Sequence, residues 1–337
     1  MTLAPGEFEG SLEVLVEEER PGGDGTPPEI EGRSLGQLAW RTLKADKVAM
    51  AGGVVALLLI IAGFAAPLIT KAYGQNDHDP NYPLVDAGTQ LPFGSFGGAS
   101  GSHWLGVTPV LGQDVLAQIL FGLRTSLIIG GLATALSLVF GVTFGLIGGY
   151  FRGFTDTVIS RIMDLLLSFP VLLFSIALIT VFSLVHSFAG LSGTPLRFAI
   201  IIFVLGFFGF PYIGRIVRGQ VLSLREKEFV DAARSLGASN YRIISREILP
   251  NVVGPILVYT TLTVPNYILG EAGLSFIGVG VQSPTVSLGG MLNDAAGFFQ
   301  VDPMYLFAPG ITLFLLVLAF NLFGDGLRDA LDPRSRR

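Results

Sequence analysis

The sequence predicts an all-α membrane protein that crosses the bilayer six times, with both termini in the cytoplasm. Half of the 337 residues are hydrophobic, 14% are charged and the mean hydropathy is +0.63. A soluble chain usually carries about a quarter charged residues. Several uncharged stretches also reach the roughly 20 residues that cross an apolar bilayer core of about 30 Å. The basic residues fall mainly in alternate connections between these stretches.

Six uncharged stretches are long enough to be spans: residues 48–70, 125–151, from 165 past 185, 198–214, 251–270 and 303–324. Residues 272–293 are uncharged too, but glycine, serine and proline occur throughout them, which disfavours a lipid-facing helix. With six spans, the outer side keeps only Lys71, Arg124 and Arg197. This asymmetry follows the positive-inside rule. A seventh span would place the basic end of the chain outside, so we predict six.

The regions around these spans differ in composition. We predict a disordered acidic cytoplasmic tail at 1–33, a surface helix and the first span at 34–70, and an external loop at 71–123. The membrane core follows at 124–325, with a cytoplasmic loop at 218–250, and a basic cytoplasmic tail at 326–337. Residues 34–47 place Leu35, Leu38, Ala39 and Leu43 on one helical face. This pattern is typical of a helix on the inner membrane surface; a cytoplasmic extension of the first span is the alternative.

The long cytoplasmic loop carries the most informative pattern. Apolar residues recur at helical spacing up to Leu236, Gly237 interrupts them, and a second apolar stripe ends at Pro250. The loop is therefore predicted to form two short amphipathic helices hinged at Gly237. Ala232 and Ala233 would permit close approach of another surface. Docking of a partner and an ordinary solvated loop both remain open from the residues alone.

The same loop resembles the EAA loop of bacterial ABC importer permeases. The shared residues are Asp231, Ala232, Ala233 and Gly237, followed at the expected spacing by Leu249 and Pro250. Asp231 stands where that family usually has Glu, and Glu247 stands where Ile or His is usual. In the family, this loop couples the permease to its ATPase.

Other segments resemble the C-type permease of the dipeptide/oligopeptide branch of that family. They are His103, Gly106, 111–112, 114–116, 124–127, 148–151, 274–276, Gly278, 280–282, 321–322, 324–329 and 331–333. Gln113 replaces the usual Arg, and residues 107–110 depart from the family wording. The resemblance covers roughly 34–334.

This resemblance implies the type I importer permease fold and half of a translocation pathway in the cell membrane. It implies a second permease subunit, two ATP-binding subunits and an extracytoplasmic solute-binding protein as partners, with no nucleic acid. The substrates implied are short peptides, with nickel complexes and oligosaccharides as alternatives. No G-x-x-x-x-G-K-[ST] phosphate loop occurs in the sequence, so ATP hydrolysis is expected in the partner subunits.

Few other residues suggest a site. Asn266, beside Pro265, and Glu271 are candidates for the substrate pathway, while interhelical bonding of Asn266 and a boundary charge at Glu271 are the alternatives. Residues 77–79 read Asp-His-Asp, which could ligate a metal, but in a loop rich in glycine and proline a solvated turn is the favoured interpretation. Arg161 and Asp164 are expected to pair with each other. We expect no catalytic residue, metal or cofactor.

A secondary transporter that needs no ATPase is the competing class. Such proteins often use acids within the membrane as ion sites, and the centres of the predicted spans contain none. A membrane enzyme is a third class. The sequence offers no nucleophile and base, or metal ligands, at a plausible spacing for one.

Overall fold

The computed structural model describes residues 35–183, 187–188 and 190–331. The chain divides into two units, Met1–Leu38 and Ala39–Arg337. Of the first unit, only the beginning of one helix is described, so the predicted acidic tail lies outside the described residues. The predicted basic tail, 326–337, is described only as far as Leu331. The rest of the Leu-Asp-Pro motif and the basic residues after it lie outside the described residues.

The described chain is mainly helical. The helices are α1 Leu35–Ala45, α2 Lys47–Phe64, α3 Ala66–Tyr73, α4 Val115–Tyr150, α5 Phe154–Ser168, α6 Val171–Ser183, α7 Gly193–Leu224, α8 Glu228–Ser235, α9 Asn240–Arg242, α10 Leu249–Phe276, α11 Leu288–Ala295 and α12 Pro303–Leu331. Two-residue strands Ser187–Phe188 (β1) and Leu191–Ser192 (β2) pair antiparallel before α7. A 3₁₀ turn occupies Tyr82–Leu84, and a π-helical turn, Ile243–Ile248, joins α9 to α10.

The helices confirm a multi-pass membrane fold. Within the described residues, five helical segments are long and apolar enough to span a membrane, and the bent pair α5–α6 makes six if it counts as one span. As predicted, the stretch 272–293 does not form a seventh span, because α10 ends at Phe276 and α11 has eight residues. Several predicted bounds were too short. Helix α4 begins at Val115 rather than Thr125, and α7 continues to Leu224.

The third predicted span is broken rather than continuous. Helix α5 ends at Ser168, α6 begins at Val171, and the two meet at 84°. Phe169, between them, is extended, with φ −81° and ψ 135°. Pro170 explains the break, because a proline disfavours the helical conformation in the residue before it and lacks an N–H for the helix.

Glycines bring α4 and α7 into close contact along much of their length. A Cβ on Gly145 would lie 2.7 Å from the Cβ of Val217, and one on Gly149 would lie 2.6 Å from the Cβ of Val221. Gly141 makes a similar approach to Ile213, at 2.9 Å. The glycines recur every fourth residue and share one helix face, which is the small-residue pattern of packed membrane helices.

Helix α1 is separated from the first span. Asp46 caps α2, because its carboxylate accepts hydrogen bonds from the backbone N–H groups of Val48 at 2.9 Å and Ala49 at 3.1 Å. Ala39 and Leu43 are buried in a cluster with Ala49 and Ala330. The apolar face predicted for this segment therefore packs against protein at these two residues, and its position on the membrane surface stays a prediction.

The external loop is ordered around a buried pair of residues. His103 Nδ1 lies 2.8 Å from Asp114 Oδ2, and the Tyr73 hydroxyl donates to the same oxygen at 3.1 Å. The other oxygen of Asp114 caps α4 at Ala117 N, at 2.7 Å. These contacts fasten the outer end of α3 to the beginning of α4.

Two local interpretations of charged residues need correction. His78 and Asp79 are exposed, as a solvated turn requires, but Asp77 is buried, and burial raises its pKa above the ordinary value for aspartate. Asp164 forms its ion pair with Arg215 of α7 instead of Arg161 of its own helix. The bend after α5 brings this helix alongside the cytoplasmic half of α7, so a partner from another element is within reach.

Candidate functional site

The loop between α7 and α10, predicted to be cytoplasmic, begins at residue 225 rather than 218, because α7 continues to Leu224, and it projects an apolar tip. Helix α8 ends before Gly237, whose φ of +77° is a left-handed conformation that favours glycine. The backbone N–H of Ala238 donates to Ala233 O at 3.1 Å and closes the turn. On either side of this turn, Leu236 is 88% exposed and Tyr241 is 82% exposed. Large apolar side chains presented to solvent in this way indicate a contact surface for another protein.

The six residues predicted for coupling occupy different parts of this loop. Asp231 and Ala232 are exposed on α8, and Asp231 pairs with Arg234 at 3.0 Å. Ala233 is half-buried beneath the turn. Leu249 packs against the buried cluster at the base of the loop, and Pro250 is exposed. The sequence pattern included Leu236 and Tyr241 in its apolar stripes, but their exposure is visible only in the fold.

The second helix of the loop continues beyond Pro250, where the sequence pattern had predicted its end. Residues Asn240–Phe276 form one continuous helical segment, with the π-helical turn just before Leu249. Pro250 lies just after the π-helical turn, so its missing N–H falls where the hydrogen-bond pattern of the helix is already irregular. The loop is thereby joined directly to the fifth span, without a flexible break.

The inner face of the loop is anchored to two other helices. Val230, Ile243 and Ile248 are fully buried in a cluster with residues of α4 and α7. The Tyr150 hydroxyl, at the end of α4, donates to Asn240 Oδ1 at 2.8 Å. Arg225 donates to the carbonyl oxygen of Gly149 at 2.6 Å. A force on the loop is therefore transmitted to α4 and α7 as well as to α10.

A cavity of about 610 Å³ lies between α6, α7 and α10. Its lining is mainly apolar, and among the described residues none of the side chains that form it carries a charge. Asn266 is exposed in this lining, and its Nδ2 donates to Leu262 O at 2.7 Å. Its amide oxygen remains available to face the cavity. Tyr212, Tyr259 and Thr263 add further polar groups.

Glu271 lies away from the cavity and is completely buried. Its Oε2 accepts a hydrogen bond from Ser126 of α4 at 2.6 Å, and its Oε1 accepts one from Ser275 at 2.7 Å. Glu271 is therefore covered by α4 rather than exposed at a helix end, and its part in the substrate pathway stays a prediction. It lies near the end of α10, whereas the predicted absence of acids concerned the centres of the spans.

The helical fold, with its protruding loop between α7 and α10, is that of a polytopic membrane permease. A family model described as "Binding-protein-dependent transport system inner membrane component" matches residues 141–337. The chain belongs to this family. A second model, "N-terminal TM domain of oligopeptide transport permease C", matches residues 34–86.

Relatives in the same family are similar over most of their length. The dipeptide transport system permease protein DppC of Alkalihalophilus pseudofirmus is 38% identical over 92% of this chain and 94% of its own. The glutathione transport system permease protein GsiD of Pectobacterium atrosepticum is 37% identical over 88% and 90%. The oligopeptide transport system permease protein OppC of Haemophilus influenzae is 36% identical over 91% of each.

A solved structure agrees in fold. The inward-facing MetNI methionine ABC transporter contains a chain that matches 64% of this one and 96% of its own length, with a TM-score of 0.51. The sequence identity is 19%. The match supports the importer permease fold and carries no information on the substrate.

Proposed function

We propose that this chain forms half of the translocation pathway of an ATP-driven importer for di- and oligopeptides in the cytoplasmic membrane. A second permease subunit would complete the pathway, two ATP-binding subunits would supply the energy, and an extracytoplasmic solute-binding protein would deliver the substrate. The names of the relatives support peptides as the substrate class. A phosphate loop is missing from the sequence, which supports ATP hydrolysis in partners.

The observation that carries this proposal is the apolar tip of the cytoplasmic loop. Leu236 and Tyr241 flank a turn fixed by Gly237, while the opposite face of the loop is buried against three spans. Short helices commonly insert an apolar face into a groove of a partner. We assign the six residues of the coupling motif and these two side chains to docking of an ATP-binding subunit. Residues 225–250 are called the docking loop from here on.

The cavity beside Asn266 supports a peptide pathway. Peptides share amide groups but differ in the charge of their side chains, so a pathway for many of them is best lined without fixed charges. The uncharged cavity, with Asn266 and further polar side chains from α6, α7 and α10, fits this requirement. Glu271 does not line the cavity, and we assign it to the pathway only through its effect on α10.

Gly237→Trp in the assembled transporter tests the docking assignment. A Cβ at Gly237 meets no atom within 4 Å, so the side chain itself fits, but the left-handed turn is strained and its surface is altered. We expect association with the ATP-binding subunits and ATP-dependent uptake to fall together. Gly219→Trp is the matched control, since Gly219 is also exposed with open space around it but has ordinary helical geometry.

Uptake is measured in proteoliposomes that contain the whole complex, with a radiolabelled dipeptide and the matching binding protein. Normal association and uptake by the Gly237→Trp variant would refute the docking assignment. Uptake by the purified chain alone, driven by an ion gradient, would refute ATP-driven transport.

A further inference from the structure

Glu271 joins three parts of the molecule at the outer half of the membrane core. Its carboxyl group is bonded to Ser126 of α4 and to Ser275 of its own helix, and Ser287, which caps α11, lies beside it. Acids buried within spans are rare and are usually functional. The docking and pathway assignments give this residue no direct task.

The direction of the hydrogen bonds shows what the carboxyl group holds. The Ser275 oxygen accepts a bond from the backbone N–H of Val281 at 2.9 Å, so its own hydrogen is free to be donated to Glu271. The Ser287 oxygen accepts a bond from Gly290 N at 3.1 Å and is the N-cap of α11. The carboxyl group therefore orders the outer connection between α10 and α11 as well as the contact with α4.

At the same level, α10 packs closely against α4 and α11. A Cβ on Gly130 of α4 would lie 2.5 Å from Cγ1 of Ile268, and one on Gly289 of α11 would lie 2.2 Å from the carbonyl oxygen of Ala272. The two glycines therefore let the backbones of α4 and α11 come close to α10. Close-packed interiors transmit displacement rather than absorb it, so α4, α10 and α11 form a rigid joint here.

The inner half of α10 is packed too, with Val252 and Val258 buried, but its backbone hydrogen-bond ladder is interrupted. Pro255 and Pro265 lie inside the helix, and each removes one backbone hydrogen bond. The π-helical turn lies below them, next to the docking loop. Bending of α10 is therefore easiest between the joint and the loop, along the side that lines the cavity.

We propose that Glu271 is a positioning residue that fixes the outer end of α10 as a pivot, on which the inner arm of the helix swings when the docking loop moves. The cavity-lining residues between Tyr259 and Gly270 lie along that arm, so the swing changes the width of the pathway. This inference rests on the proposed ATP-driven function. It adds that the outer joint remains intact while the inner half moves.

Spin labels on introduced cysteines test the pivot directly, and the native chain contains no cysteine that would interfere. An outer pair, Leu132→Cys with Leu269→Cys, reports the distance between α4 and α10 near the joint. An inner pair, Val139→Cys with Val253→Cys, reports the distance between the same helices closer to the cytoplasm. All four native side chains are exposed. The complex is assembled with cysteine-free partners and measured with and without ATP.

We expect the inner distance to change with ATP while the outer distance stays constant. Ser126→Ala, which removes the link to α4, should broaden the outer distance distribution and lower dipeptide uptake per ATP hydrolysed roughly fivefold, the effect of about one hydrogen bond. Glu271→Gln keeps the shape and one acceptor oxygen, so it should retain most of the coupling that Glu271→Ala loses. Thr134→Val is the control, since its buried hydroxyl bonds only to its own helix.

Three results would overturn the pivot. They are an outer distance that changes as much as the inner one, distances that do not respond to ATP in a complex with normal uptake, and a Ser126→Ala variant with unchanged labels and coupling. A complex with no ATP-dependent uptake in its unmodified form would instead refute the proposed function. The two failures are therefore distinguishable.

Discussion

Removal of the Tyr150 hydroxyl is expected to weaken docking of the ATP-binding subunits. The hydroxyl donates to Asn240 at 2.8 Å and ties the end of α4 to the docking loop. A hydrogen bond of this kind contributes about 1 kcal/mol. Because Asn240 is exposed, water can replace the lost donor, so the cost should not exceed this value. Since 1 kcal/mol is about a fivefold change in an equilibrium constant, Tyr150→Phe should raise the Kd for the ATP-binding subunits up to about fivefold.

The Kd is measured by titration of the purified permease pair with the ATP-binding subunits. A double-mutant cycle with Asn240→Ala isolates the pair, because the double variant should bind no worse than the weaker single variant. Tyr82→Phe, in the external loop, is the control and should leave the Kd unchanged. Additive effects of Tyr150→Phe and Asn240→Ala, or no effect of either, would refute the reasoning that this bond holds the loop ready for docking.

Two further predictions concern stability. Gly145→Ala should destabilise the protein by about 1–3 kcal/mol, because the added methyl group would overlap with Val217. Gly131→Ala is the control and should not destabilise it, since open space surrounds Gly131. Equal melting temperatures of the two variants would contradict the packing argument. Burial raises the pKa of Asp302, which precedes α12. Ionisation of this buried carboxyl group therefore lowers the free energy of unfolding near neutral pH. This loss of stability disappears as the pH falls through the folded pKa. Asp302→Asn should raise the Tm by about 2 °C at about pH 7 and lose this gain towards about pH 4; a gain independent of pH would exclude the charge as its cause.

The spans and their approximate order were predictable because the bilayer imposes a length and a hydropathy that the local sequence must meet. Their ends were less predictable. Helix α4 begins before Arg124, which is half-buried, and α10 continues beyond Glu271, which is buried against α4. The break at Pro170 follows a local rule, but the bend of 84° depends on what α5 packs against.

In the docking loop, too, the sequence predicted the elements and the packing decided their orientation. Its apolar spacing and Gly237 indicated two short helices and a hinge, and the resemblance supplied a partner for them. The sequence did not reveal that Leu236 and Tyr241 are exposed while Val230 and Ile243 are buried, since all four are apolar and occur within one short loop. Only packing against α4 and α7 decides which face of the loop remains free.

The sequence by itself determined the multi-pass membrane class, most of the spans, the position of the loop between α7 and α10 and the absence of a phosphate loop in the chain, because each depends on composition or on residues close together in the chain. Tertiary structure alone decided the partner of Asp164, the cavity beside Asn266 and the burial of Glu271. Ser126 and Glu271 are 145 positions apart, and no local pattern encodes a hydrogen bond over that separation. Such contacts form only when the spans have packed, and they turn an acid near the predicted end of a helix into a buried joint.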